Sequence, residues 1–132
     1  MSINRTNILL EGELYRFHND VPKKRYLILT HGAIYEYLDQ RLTKLRHTYE
    51  LTSQTTVHKV PKSASFELSI KGGTVTESLR FAVDSNALGD SAAHMCEMWV
   101  TEIAMLVEKM ASEERALESS KYVSIACASF IV

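Results

Sequence analysis

The residues of this sequence that can do chemistry are cations, and they crowd into its first half. Residues 1 to 62 hold ten Lys and Arg against six Asp and Glu, and residues 63 to 132 hold five against ten. The halves therefore carry +4 and −5 within a formal net charge of −1. A chain polarised in this way can steer one face toward anions. A nucleic-acid domain is usually basic throughout, so no nucleic-acid partner is expected. The plainer alternative is that these charges only meet solvent.

Other chemistry is thin. His18, His31, His47, His58 and His94 are scattered, and none has the i, i+4 partner of a helical zinc site. His94, Cys96 and Glu97 are close in sequence, but a helix splays 96 away from 97. Gly72-Gly73 lacks the lysine and the following helix of a phosphate loop and reads as a hairpin turn. No Ser, His and acid arrangement has motif-level support. The sequence predicts no enzyme, no metal and no cofactor.

The elements that position the cations come first in the chain. Leu10, Gly12, Leu14 and Arg16 alternate with Glu11, Glu13, Tyr15 and Phe17, and Tyr26 to Thr30 is an apolar and aromatic run; both patterns predict strands. His31-Gly32 turns the chain into a third strand, Ala33 to Asp39, and Gln40 to Arg46 reads as a polar, basic loop. Thr48–Leu51 and Thr55–Val60 are short β-branched segments, the second ended by Pro61. Ser65–Lys71 and Ser78–Asp84 alternate again about a glycine turn. Seven strands with short connections imply antiparallel neighbours.

After Asn86 the period changes. Ala92, Met95, Cys96, Trp99, Ile103, Leu106, Val107 and Met110 form one apolar helical stripe. At about 1.5 to 3 kcal/mol per large buried side chain, the stripe contributes on the order of 10 kcal/mol gross, so the helix must lie on the strands. The helix is expected to reach about Ser119. Tyr122 to Val132 is apolar and β-prone; exposed, it would invite aggregation. It is expected to fold back as an added strand or to exchange between two copies as a homodimer contact. A second reading of Phe130-Ile131-Val132 is a carboxyl-terminal ligand for PDZ domains.

Length and composition bound the rest. A chain of 132 residues fits one domain and buries about two thirds of its unfolded surface. The expected division is a domain over residues 1–119 and a tail over 120–132. Cys96 and Cys127 form no CxxC pair and read as free thiols of a reducing compartment. No secretory signal, spanning segment, myristoylation or prenylation is expected. The expected location is cytoplasmic, with any membrane contact peripheral and made by folded surface.

The order of strands followed by one Trp-bearing helix resembles the pleckstrin-homology family, and local motifs agree. Glu11-Gly12-Glu13-Leu14-Tyr15-Arg16 resembles the family's opening G-x-L-x-basic strand. Lys23-Lys24-Arg25-Tyr26-Leu27-Ile28-Leu29 resembles its K-x-R-W-F-V-L second strand, with Tyr26 for the usual Trp. Leu79-Arg80-Phe81-Ala82-Val83 is similar to the last strand, and Trp99 to the hallmark tryptophan of the helix. The resemblance covers roughly residues 7 to 115. It implies a seven-stranded antiparallel β-barrel or sandwich capped by a C-terminal α-helix. Phosphotyrosine-binding and EVH1-like modules share that element order.

The resemblance also implies a site. Lipid-binding members hold an inositol phosphate at the mouth between the first two strands, and Arg16, Lys23 and Arg25 fill the corresponding positions. Alternation puts Lys23 and Arg25 on one face, and an antiparallel neighbour brings Arg16 beside them. Lys24, Arg41, Lys44 and Arg46 are expected to add a less specific attraction of about 1 kcal/mol each near an anionic leaflet. The expected function is a non-enzymatic adaptor that binds a phosphoinositide headgroup weakly, micromolar at best. The alternative is a protein-interaction module of the same superfold without lipid binding. Glu36 falls where the family carries a phosphate-contacting tyrosine, and the short loop after Arg16 adds Asp20 but no cation. On the alternative reading, Arg16, Lys23 and Arg25 only make cross-strand pairs with acids such as Glu13 and Glu36.

Overall fold

The computed structural model describes residues 5–72 and 74–130, with side chains as far as Ser120. Seven strands precede two helices: β1 Leu10–His18, β2 Val21–Leu29, β3 Ala33–Tyr37, β4 Leu45–Glu50, β5 Thr56–Lys59, β6 Ser65–Gly72, β7 Val75–Ala82, α1 Ser85–Leu88 and α2 Ser91–Phe130. All ladders are antiparallel, in the order β4-β3-β2-β1-β7-β6-β5.

Local sequence explains the hairpins. His18 pairs with Val21, so β1 and β2 are joined by Asn19 and Asp20 alone. Both residues have positive φ, 50° and 65°. A two-residue turn of matching twist needs that backbone, and Asn and Asp tolerate it better than most side chains. At the next turn Thr30 N–H donates to the Ala33 carbonyl at 2.9 Å, with His31-Gly32 at the tip.

The strip of strands folds over at β1. That strand pairs with β2 along its whole length but with β7 only through Tyr15 to Ala82 and Arg16 to Phe81. Among the described residues no ladder joins β4 to β5, so the fold is an open sandwich rather than the closed barrel. The two inner faces supply Leu14, Leu27, Leu29, Ile34, Tyr49 and Leu51 on one side, and Phe66, Leu68, Leu79 and Phe81 on the other. Phe66 and Phe81 stack with centroids 5.5 Å apart, and Tyr49 meets Phe81 edge-on.

The helix closes the sandwich. Asp84 caps α1, its carboxylate accepting from Asn86 N–H and Ala87 N–H at 3.1 Å each. Gly89, at φ 55°, ends it. Along α2 the buried residues are Ala92, Cys96, Trp99, Ile103 and Leu106, with Met95, Val107 and Met110 partly buried beside them. This is the stripe read from the sequence, and α2 packs it on β5 and β6. Trp99 is 1% exposed, deep in the common core.

Three expectations need correction. β2 starts at Val21, ahead of the apolar run from Tyr26 and of the motif from Lys23, because cross-strand pairing with β1 holds its polar first half in the sheet. β4 starts at Leu45, inside the segment read as loop. The helix does not stop at Ser119, and residues 120–130 are helix rather than an added strand, since α2 continues to Phe130. A growing helix adds a hydrogen bond for each residue fixed, whereas Ser119-Ser120 costs it only a few tenths of a kcal/mol per residue in propensity. Ile131 and Val132, and with them the carboxyl-terminal ligand reading, lie outside the described residues.

Candidate functional site

The β1–β2 register decides where the three cations go. Arg16 stands opposite Lys23, and Leu14 opposite Arg25. Alternation puts Arg16, Lys23 and Arg25 on the face that carries Leu14, Leu27 and Leu29 into the core. They occupy the hairpin-tip end of that face, from the level of Leu14 outward. The structure thus brings all three together.

A carboxylate joins them. Glu36 of β3 is paired with Leu27, so it shares the inner face, and it is 0% exposed. Its Oε1 lies 3.5 Å from Arg16 Nε and its Oε2 3.7 Å from Arg25 Nε, with the two arginine side chains only 17% and 14% exposed. Tyr49 of β4 donates its O–H to Glu36 Oε1 at 2.8 Å. Burial, and then this hydrogen bond, push the Tyr49 phenol well above the usual tyrosine range, so it keeps the proton it donates. Arg16 Nε and Glu36 Oε2 are buried without a hydrogen bond among the described residues. The ionic distances exceed the roughly 2.7–2.9 Å of a charge-assisted hydrogen bond. The arginines and the carboxylate are therefore held by charge more than by fitted hydrogen bonds.

Lys23 differs from its neighbours. It is exposed and makes no ion pair among the described residues. Of the three cations, Arg16 and Arg25 share the Glu36 carboxylate and Lys23 does not.

The auxiliary cations divide. Lys24 faces the outer side of β2, where its ammonium lies 3.2 Å from Glu13 and 3.8 Å from Asp84. Its hydrogen bond and attraction to Glu13 raise its pKa. Glu13 thus pairs with Lys24, not with the inner-face cations. Arg41 is clamped by Asp39 at 2.8 Å in the β3–β4 connection. Lys44 and Arg46 are exposed and make no ion pair among the described residues. Tyr49 was missed by sequence reasoning. Its signal was position: an inner-face carboxylate at 36 requires a donor from the neighbouring strand. Also missed was Arg80, which stacks 5.0 Å from the Phe17 ring centroid on the outer face.

Among the described residues no group of three or more His, Cys, Asp or Glu could hold a metal ion, and no helix is long and apolar enough to cross a membrane.

Comparison with known proteins gives the fold its context. No protein-family model matches the sequence, and no curated protein does. Solved structures match well. The Slm1 pleckstrin-homology domain in complex with inositol-4-phosphate superposes with a TM-score of 0.61 at 20% identity, over 76% of this chain and 96% of that one. The same domain in complex with phosphoserine gives 0.62 at 19%, over 78% and 98%. The pleckstrin-homology domain of human KIAA0053 gives 0.61 at 18%, over 82% and 95%. At such identities the likeness speaks for the fold, and that fold is the pleckstrin-homology fold.

Proposed function

We propose that this chain is a non-enzymatic adaptor domain that contacts anionic, phosphoinositide-bearing membrane weakly through the open end formed by Arg16, Lys23 and Arg25. The observation that carries the reading is the convergence of these three cations at one end of the inner face, where Arg16 and Arg25 share one carboxylate and Lys23 pairs with none among the described residues. Lys23 is the free member, and exposed Lys44 and Arg46 extend the positive rim toward the β3–β4 side. Each exposed cation near an anionic leaflet adds about 1 kcal/mol. Association itself costs several kcal/mol, so binding is micromolar at best and salt-sensitive. The Slm1 domain, a structural neighbour, was solved with inositol-4-phosphate and with phosphoserine, which supports phosphate as the chemistry this fold can accept. The location that follows is peripheral, at a cytoplasmic membrane face.

A second reading, a protein-interaction module without lipid binding, is favoured by one observation. Helix α2 runs on for sixteen residues past Glu114, which hydrogen-bonds Ser53, and that is roughly 24 Å of additional helix. Vesicle sedimentation across phosphoinositides separates the readings. Pelleting that weakens with salt and with Lys23→Glu supports the membrane reading. No pelleting with any anionic vesicle leaves the protein-interaction reading.

A further inference from the structure

We propose that Glu36 is an internal counter-anion that keeps phosphomonoester groups out of the mouth, so that removing its charge converts the domain into a tight phosphate binder. The inference rests on the reading of this end as an anion-contact surface and adds what limits it.

The case is geometric. Glu36 sits fully buried on the central inner face and touches both arginines at once, Arg16 at 3.5 Å and Arg25 at 3.7 Å. A phosphate seated between those guanidiniums would lie beside the carboxylate, and two anions at that separation repel. Nor can the arginines leave for an external phosphate at no cost, because Glu36 would remain buried with only the Tyr49 O–H as partner. Yet the carboxylate is a poor substitute for what it excludes. Arg16 Nε and Glu36 Oε2 are both buried and without hydrogen bonds among the described residues, so the site holds donor capacity that its own anion does not use. A phosphomonoester dianion offers more acceptor oxygens and fits a pair of guanidinium forks. Exposed Lys23, opposite Arg16, supplies a third cation at the rim.

The test compares wild type, Glu36→Gln and Glu36→Gln/Arg25→Ala by calorimetric titration of the full chain with inositol 1,4,5-trisphosphate. The glutamine keeps the volume and an acceptor for Tyr49. Glu36→Gln is expected to bind at least tenfold tighter than wild type, and Arg25→Ala to remove that gain. If Glu36→Gln does not fold alone, the same ligand at 100 times its Kd should restore the folded form, since a ligand specific for the native state stabilises it by mass action. Unchanged affinity, a gain that survives Arg25→Ala, or an unfolded variant that the ligand does not rescue would each overturn the inference. Vesicles containing a phosphatidylinositol bisphosphate, set against vesicles of phosphatidylserine, separate a lipid headgroup from free phosphate as the source. Wild type that pellets with anionic vesicles while Glu36→Gln gains nothing sinks this inference alone. Wild type that never pellets while Glu36→Gln gains affinity sinks the membrane reading alone.

Discussion

Replacing Glu36 with alanine strips Arg16 and Arg25 of the buried carboxylate they share, and the structure sets the size of the effect. Two arginine side chains, 17% and 14% exposed, lose their shared counter-ion, and the buried Tyr49 hydroxyl loses its acceptor. Removing one partner of a buried ionic cluster typically costs about 3–5 kcal/mol, out of a total stability of roughly 5–15 kcal/mol. For a domain of this size that corresponds to a fall in Tm of roughly 10–20 °C. Tyr49→Phe alone removes a hydrogen bond to a charged group, at about 1.5–3 kcal/mol. The double variant should lose less than the sum of the two. Once the carboxylate is gone, Tyr49→Phe merely removes an orphaned donor, so a coupling of about 1.5–3 kcal/mol is expected. Urea titration with constant m-values is the assay. A Glu36→Ala loss below about 1 kcal/mol, or strict additivity with Tyr49→Phe, would refute the claim that these groups form one buried cluster.

Other outcomes follow from the same packing. Trp99, the only tryptophan and 1% exposed, should emit at short wavelength and resist acrylamide quenching, and Trp99→Ala should cost about 3–5 kcal/mol in urea titration. Burial raises the Cys96 thiol above its ordinary pKa, so in a Cys127→Ser background it should react with maleimide at neutral pH only after denaturation, as read by mass spectrometry. Burial, then the hydrogen bond to Glu11, raises the Tyr26 phenol to about 12. The folded state therefore holds this proton more tightly than the unfolded chain. Its contribution is present below pH 10 and lost as pH rises toward about 12, so Tyr26→Phe should flatten the alkaline loss of the urea midpoint.

Much of this architecture was legible because it rests on periodicity. The α2 stripe from Ala92 to Met110 follows directly from helical spacing, and Trp99 falls at its centre. His31-Gly32 marks a turn through backbone chemistry that needs no tertiary information. Other features depend on partners that are distant in sequence. The polar first half of β2 shows no apolar period, so only the motif resemblance from Lys23 marks it as strand, and pairing with β1 holds it there. The continuation of α2 past Ser119 runs against the β-branched composition of the tail, since helix propagation outweighs local propensity there. At the site, resemblance and alternation placed Arg16, Lys23 and Arg25 on one surface, and the structure adds how they are balanced. Whether Glu36 faces its cations or water depends on the β2–β3 register, and the Tyr49 contribution on the register of β4. Lys24 shows the same dependence in reverse. One residue from Lys23, it faces the opposite side and pairs with Glu13.

The most direct test of the account is an amide NMR titration of the wild-type chain with bicelles containing a phosphoinositide. Shifts concentrated at Arg16 to Arg25 and across the β3–β4 connection to Arg46, fading as salt is added, are the predicted result. Shifts confined to α2 or to the outer face around Arg80, or no shifts at all, would contradict a membrane contact made by the open end of the sandwich.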